Sequence, residues 1–229
     1  MSEHIKAVVL LSGGLDSSTA LAWAVKEQGW VCHTVAFDYG QRHRIELEAS
    51  AAVSAAFGVT NHRVIKVDLR SIGHSALTSD IPVPKDEVEC AGIPNTYVPA
   101  RNLIFLSLAA AVAETVGATQ LVIGANVVDY SGYPDCRPAF LDSFVQTALL
   151  GTKAGCEGKG LEIAAPLIHL NKSGIISMGL KLGLDYALTR SCYDPLPNGN
   201  PCGHCDSCFY RRRGFEEIGK KDPLPYPET

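Results

Sequence analysis

Five short apolar runs recur along the chain, and the stretches between them place apolar residues at every third or fourth position. The runs are AVVLL (7–11), CHTVAF (32–37), RVIKVDL (63–69), QLVIGAN (120–126) and LEIAAPL (161–167). Short, mostly rich in β-branched residues and bounded by polar turns, they predict strands buried on both faces of a sheet. Helical spacing appears in SSTALAWAVKEQ (17–28), RIELEASAAVSAAFG (44–58), RNLIFLSLAAAVAETVG (101–117) and PAFLDSFVQTALL (138–150). Strand alternating with helix is the grammar of an α/β fold: a doubly wound, five-stranded parallel sheet covered on both faces. Such sheets bind ligands beyond the carboxyl ends of their strands, near the point where strand order reverses. Residues 71–100 and 151–160 are expected to be loops, the first long enough for a lid or a substrate wall.

Composition narrows the classes. A chain of 229 residues, 46% hydrophobic, can bury a substantial core in one large domain or one domain with an appendage. Its net charge of -4 gives no global attraction to nucleic acid or an anionic membrane. The N-terminus MSEHIKAVVLLSGG lacks a signal-peptide pattern and no apolar run reaches spanning length, so a cytoplasmic location is expected. Of eight cysteines, Cys192, Cys202, Cys205 and Cys208 crowd one region while Cys32, Cys90, Cys136 and Cys156 are scattered. That distribution suggests a metal site over a disulfide framework.

The candidate chemistry begins where the first run ends. LLSGGLDSSTAL (10–21) puts Ser12, Gly13, Gly14, Leu15, Asp16, Ser17 and Ser18 between a strand and a helix. Unpaired amides and the positive helix end converge there, a place suited to an anion. The loop lacks the Gly-Lys-Ser/Thr ending of a P-loop and the three spaced glycines of a dinucleotide fingerprint. Its Ser-Gly-Gly-x-Asp-Ser pattern resembles the pyrophosphate loop of the ATP pyrophosphatases, whose members split ATP between the α and β phosphorus. With FDYGQRH (37–43), PNTYVPARN (94–102), DYSGYPDCRP (129–138) and the clustered cysteines, the chain resembles the 7-cyano-7-deazaguanine synthase family from about Ile5 to Gly219. It departs at Ala139, where an acidic residue is expected, and at Val128, where a polar one is commoner.

That resemblance implies an adenine nucleotide α-hydrolase-like fold, with an ATP pyrophosphatase domain at 1–185 and a zinc-binding region at 186–229. It implies a ligase that converts 7-carboxy-7-deazaguanine and free ammonia to the nitrile through an adenylated carboxylate and an amide, for tRNA modification by the queuosine route. ATP with Mg²⁺ would be the co-substrate, and a homodimer the assembly. Ser12, Asp16, Ser17 and Lys172 are the expected catalytic residues. Leu11, Ser12, Gly13, Gly14, Leu15, Asp16, Ser17, Ser18, Thr19, Ala20 and Leu21 are expected to hold ATP, Asp16 also orienting Mg²⁺. Lys172, in HLNKSGI, would neutralise the α-phosphate, although a solvated lysine explains it equally well. Substrate contacts are expected from Tyr39, Gln41, Arg42, His43, Arg101, Asn102, Asp129, Ser131, Gly132, Tyr133, Asp135 and Arg137. Arginines suit carboxylate or phosphate, and the ring's N–H edge wants an acceptor and an aromatic face. Asp135 could instead turn the chain before Arg137. Cys136 is expected to be a packed hydrophobe.

The metal expectation stands apart from the family. Cys202, Cys205 and Cys208 form C-x₂-C-x₂-C, and the turn-rich YDPLPNGNPCGH lets Cys192 fold back to them. Four thiolates suit one structural Zn²⁺ with no open position; a four-iron cluster is the competitor. His204 is not expected to ligate. Arg211, Arg212 and Arg213 are expected on a solvated helix face offsetting the thiolate charge, and KDPLPYPET (221–229) to fray. Two further functions share the loop: a tRNA thiolase or glutamine-dependent amidase, and a nucleotide-binding sensor or zinc-finger module. The acidic balance and chain length argue against the former. GQRH, YVPARN and SGYPDCRP would be idle in the latter.

Overall fold

The computed structural model describes residues 4–42, 44–86, 92–128 and 133–227. Its centre is a five-stranded parallel sheet in the order β3-β2-β1-β4-β5, formed by β1 (Lys6–Leu10), β2 (Val31–Asp38), β3 (His62–Lys66), β4 (Gln120–Val122) and β5 (Glu162–Ala164). Side-chain alternation divides β1 between two cores. Val8 and Leu10 pack with Val35, Phe37, Leu121 and Ile123 beneath α3 (Arg101–Val116) and α4 (Pro138–Gly151). Ala7, Val9 and Leu11 pack with Val122 beneath α1 (Leu15–Ala22), α6 (Lys172–Lys181) and α7 (Asp206–Glu217). A strand that feeds both faces must be apolar throughout, which is why AVVLL shows no polar alternation.

The chain winds outward from β1 to β3, then crosses back to place β4 on the other side of β1. The crevice between β1 and β4 is therefore the switch point, and the glycine loop closes its upper end. Helix α2 (Ile45–Ala56) packs beside that loop so closely that a Cβ on Gly13 would lie 2.4 Å from the Glu46 carbonyl oxygen. Gly13 also has φ +84°, so both sterics and backbone require glycine.

Several expectations are corrected here. Strand β3 is mostly exposed, because it is the sheet edge; Val64 projects outward. The fourth and fifth strands have three residues each. After Val122 the chain leaves the ladder to reach the site, with Gly124 pressed against the Asp16–Ser17 backbone where a Cβ would come within 2.7 Å. Residues 151–160 hold a short helix, α5 (Lys153–Cys156), because Thr152 caps it by accepting from the Gly155 N–H at 3.1 Å. The first helix starts at Leu15, so Asp16, Ser17 and Ser18 lie in its opening turn; it continues as a π-helical turn at Trp23–Glu27. Described residues of the 71–100 segment form no helix or strand. There Leu77 walls the cavity, and Val83 packs on the cysteine cluster.

Candidate functional site

A cavity of about 270 Å³ opens at the switch point, near the low end for small-ligand sites. Its floor is the glycine loop. Ser12 and Ser17 exchange a hydroxyl hydrogen bond of 2.9 Å, and the Ser12 hydroxyl accepts from the Gly14 N–H at 3.2 Å, which holds the turn open. Leu11, Ser12, Gly14, Leu15, Asp16 and Ser17 all line the cavity. Gly13 makes the turn behind it. Ser18, Thr19, Ala20 and Leu21 do not reach it: these helix residues are fully buried in the lower core. The Thr19 hydroxyl bonds the Leu15 carbonyl and the Tyr186 hydroxyl, while the Ser18 hydroxyl has no hydrogen-bond partner among the described residues.

Lys172 is no solvated lysine. Its Nζ donates to both Asp16 oxygens, at 2.8 and 2.9 Å, and its stem lies against Gly214, where a Cβ would come within 2.9 Å. Asn171 caps α6 by accepting from the Gly174 N–H at 3.0 Å, fixing the helix start that aims Lys172 back across the sheet. Asn126 faces the same carboxylate from the end of β4. Two chain segments thus converge on Asp16 from positions remote in sequence.

The opposite wall carries Arg101. Tyr39, Tyr133, Tyr193 and Asp135 surround its guanidinium. Just before it, Ala100 adopts a left-handed conformation with φ +54°, which a non-glycine residue holds only under constraint, and its N–H donates to the Tyr97 hydroxyl at 3.0 Å. That backbone turn starts α3 and points Arg101 at the cavity. Tyr39, Gln41, Arg42, Asn102 and Tyr133 line the cavity too. Gln41 braces its own loop, accepting from Tyr39 N–H at 2.8 Å and donating to Phe37 O at 3.2 Å. Arg42 donates to Ser79 O and Ile81 O at 3.0 and 2.6 Å, so it pins the long 71–100 segment as well as facing the cavity.

Two expected contacts sit elsewhere. Asp135 is buried beneath α3, where its carboxylate accepts from the Asn102 N–H at 2.9 Å and so caps the helix; it does not line the cavity. Arg137 is exposed at the start of α4 and lies off the cavity. His43, Asp129, Ser131 and Gly132 lie outside the described residues. Cys136 packs as expected, and burial, with the nearby Asp135 charge, pushes its thiol up to about 11, which removes it as a thiolate nucleophile near neutrality.

Sequence reasoning missed Glu46. It lines the cavity facing Arg101, and burial pushes its carboxyl up to about 7 against the pull of Arg101. A signal existed: Ala49, Ser50, Val53 and Ser54 form the buried face of α2, and Glu46 continues that face one turn earlier. It also missed Arg211, which shares the buried face of α7 with Cys208 and Phe215. Far from being solvated, Arg211 forms a bidentate pair with Asp222 at 2.8 and 3.1 Å.

The sulfur atoms of Cys192, Cys202, Cys205 and Cys208 lie within 4.8 Å of one another, with Cys192–Cys205 at 3.9 Å and Cys202–Cys208 at 4.0 Å. Metal–sulfur bonds of about 2.3 Å in a tetrahedron require sulfurs about 3.8 Å apart, so the cluster fits one closed four-thiolate ion. A four-iron cube would hold its thiolates farther apart. The Cys202 sulfur also accepts from the His204 and Cys205 N–H groups, each at 3.4 Å, which favours a charged thiolate. His204 itself turns away to Asp86, at 3.1 Å. Cys192 lines the cavity, so the knuckle is one of its walls.

The comparisons agree with this architecture. A sequence model of the family described as queuosine biosynthesis protein QueC matches residues 6–219. The chain is similar to the 7-cyano-7-deazaguanine synthase of Myxococcus xanthus (strain DK1622), 57% identical over 227 residues and covering 98% of each chain. It is also similar to the 7-cyano-7-deazaguanine synthase of Alcanivorax borkumensis (strain ATCC 700651 / DSM 11573 / NCIMB 13689 / SK2), 57% identical over 222 residues, 96% of this chain and 99% of that one. Among solved structures, NMN synthetase from Francisella tularensis shares the fold, with a TM-score of 0.51 at 14% identity over 96% of this chain and 79% of that chain.

Proposed function

Because the chain belongs to the queuosine biosynthesis protein QueC family, we propose that it is a ligase making 7-cyano-7-deazaguanine from 7-carboxy-7-deazaguanine, ammonia and ATP. The observation that carries this reading is the Asp16–Lys172 pair set into a glycine loop at the sheet's switch point, opposite Arg101. The loop amides and the α1 terminus suit the pyrophosphate of ATP, and Lys172 stands ready to follow negative charge developing at the α-phosphorus. Mg²⁺ carried by ATP would find its protein ligand in Asp16 and would supply charge neutralisation on the phosphates.

The substrate has two unlike ends, and the cavity offers two unlike walls. Arg101 with Tyr39 and Tyr133 suits the ring carboxylate; Glu46 takes the N–H edge, a role for which Asp135 is already engaged. Carboxylate oxygen attacks the α-phosphorus, forming an acyl-adenylate and releasing pyrophosphate. Ammonia then adds to the acyl carbon and AMP leaves, giving the amide and a proton. The amide oxygen is activated by a second ATP, and loss of that activated oxygen with the remaining nitrogen protons leaves the C≡N bond. The protein contributes position and charge stabilisation. The cysteine cluster would hold structural Zn²⁺.

Incubation with ATP, Mg²⁺, ammonium and the carboxy-deazaguanine is expected to yield the nitrile with AMP and pyrophosphate. Asp16→Asn is expected to fold and lose turnover by about a thousandfold. ATP binding without turnover in the unaltered chain would favour a nucleotide sensor instead, and AMP release only with tRNA a thiolase.

A further inference from the structure

The family match ends at residue 219, yet the chain beyond it is folded into the core. Asp222 and Leu224 are buried, and the Tyr226 hydroxyl donates to Asp222 Oδ2 at 2.7 Å. Arg212 adds a cation–π contact to the Tyr226 ring at 5.3 Å. Contrary to expectation, residues 222–226 therefore do not fray. This segment meets Arg211, whose Nε and one terminal nitrogen bind the two Asp222 oxygens.

The remaining guanidinium donors all go to a single stretch of chain. They bond the Thr189 hydroxyl at 2.7 Å, the Ser191 hydroxyl at 3.2 Å and the Tyr186 carbonyl at 3.0 Å. With all five N–H groups engaged, Arg211 has none left for a ligand, although it lines the cavity. Its hydrogen-bonded influence on the site passes through residues 186–191. Those residues rest directly on the glycine loop: Arg190 N–H donates to Gly13 O at 2.8 Å, and a Cβ on Gly14 would meet Arg190 O at 3.6 Å. The Tyr186 hydroxyl meets Thr19, just past the loop, at 2.8 Å.

We infer that residues 222–226 form a strap that, through Arg211, holds the 186–191 segment against the glycine loop and so sets that loop's affinity for ATP. Arg211 and Asp222 are positioning residues. The inference rests on the reading that this loop binds ATP.

Direct titration of the full chain with ATP tests it. Removing residues 222–229, or Asp222→Asn, is expected to weaken ATP binding by about tenfold or more, because the buried guanidinium loses its partner. Tyr226→Phe, which deletes one hydrogen bond and keeps the fold, is expected to weaken it about threefold. Phe144→Leu, a core change under α4 on the other face of the sheet, controls for stability loss: it lowers the melting temperature and leaves ATP affinity unchanged. ATP affinity within about twofold of the unaltered chain in Tyr226→Phe, and in whichever stronger variant folds, would overturn the strap while leaving the loop's role intact. Equal weakening in Phe144→Leu would also overturn it, by showing a purely structural effect. No ATP binding by the unaltered chain would overturn the nucleotide reading and the strap together.

Discussion

The glycine loop and the cysteine knuckle face each other across one cavity but are held by different means. The loop is built from backbone: a strand feeds it, a helix leaves it, and glycine at residue 13 lets α2 approach to contact. The knuckle has almost no regular structure before α7, and its four thiols converge over a turn-rich link. Sheet and helix burial stabilise the first without any ligand. On the proposed reading the second would depend on an ion, because four bare thiolates within 4.8 Å would repel one another. Two walls of one site therefore draw on independent sources of stability, joined by the segment that Arg211 holds.

The sharpest way to break this contrast is to remove the ion. Cys202→Ser is expected to abolish stoichiometric zinc and cost about 3 kcal/mol or more, a fall of about 10 °C in a chain of this size. Metal analysis and calorimetry check it. Circular dichroism should retain the sheet signal, since the loop side does not need the metal. A variant that keeps both its zinc and its melting temperature would show the knuckle to be held by packing alone.

That asymmetry also explains what could be read from the chain. The sheet and the two motifs are short-range patterns, in which spacing within a dozen residues carries the geometry, and both appeared where expected. What stayed hidden is long-range pairing. Lys172 was expected at the site through the family resemblance, but nothing near it points to its bond with Asp16, and nothing near Arg211 points to Asp222, because each partner arrives by a different element. Asp135 looked like a ligand and became a helix cap, a role fixed only when α3 docks beside it. Glu46 and Arg211 did leave one trace in common: a charge on the apolar face of an amphipathic helix, which burial makes costly unless a partner or a ligand meets it.

Glu46 sharpens the comparison from the loop side, through pH. Its carboxyl is raised from an ordinary 4.5 to about 7, so between those values the folded state binds more protons than the unfolded state. Stability must then fall as pH rises through this window, by about 3 kcal/mol in total for a shift of that size. Glu46→Gln should abolish the fall, matching the unaltered chain near pH 4.5 and exceeding its stability above pH 7. Activity should move the other way. The ionised carboxylate is the better acceptor for the ring edge, so KM for the carboxy-deazaguanine should drop as pH rises through about 7, and the glutamine variant should lose that dependence with KM raised about tenfold. Urea unfolding and steady-state kinetics across pH 5–8.5 measure both limbs. A stability curve unchanged by the substitution would mean the carboxylate is solvated in the cavity.

The smallest effect is expected from Arg137, and it tests whether the motif or the geometry should assign roles. SGYPDCRP drew attention to this arginine because a guanidinium suits carboxylate or phosphate. Folding sends its neighbours Asp135 and Cys136 inward and leaves Arg137 exposed at the head of α4, where its backbone starts the helix and its side chain meets water. An exposed charge that does not line the cavity is screened by solvent and by physiological salt. Arg137→Ala should therefore change kcat/KM by less than about threefold, and stability by about 0.5 kcal/mol or less, in contrast to Arg101→Ala on the cavity wall. A large rise in KM confined to Arg137→Ala would mean that the substrate reaches this arginine, and that the site extends beyond the two walls compared above.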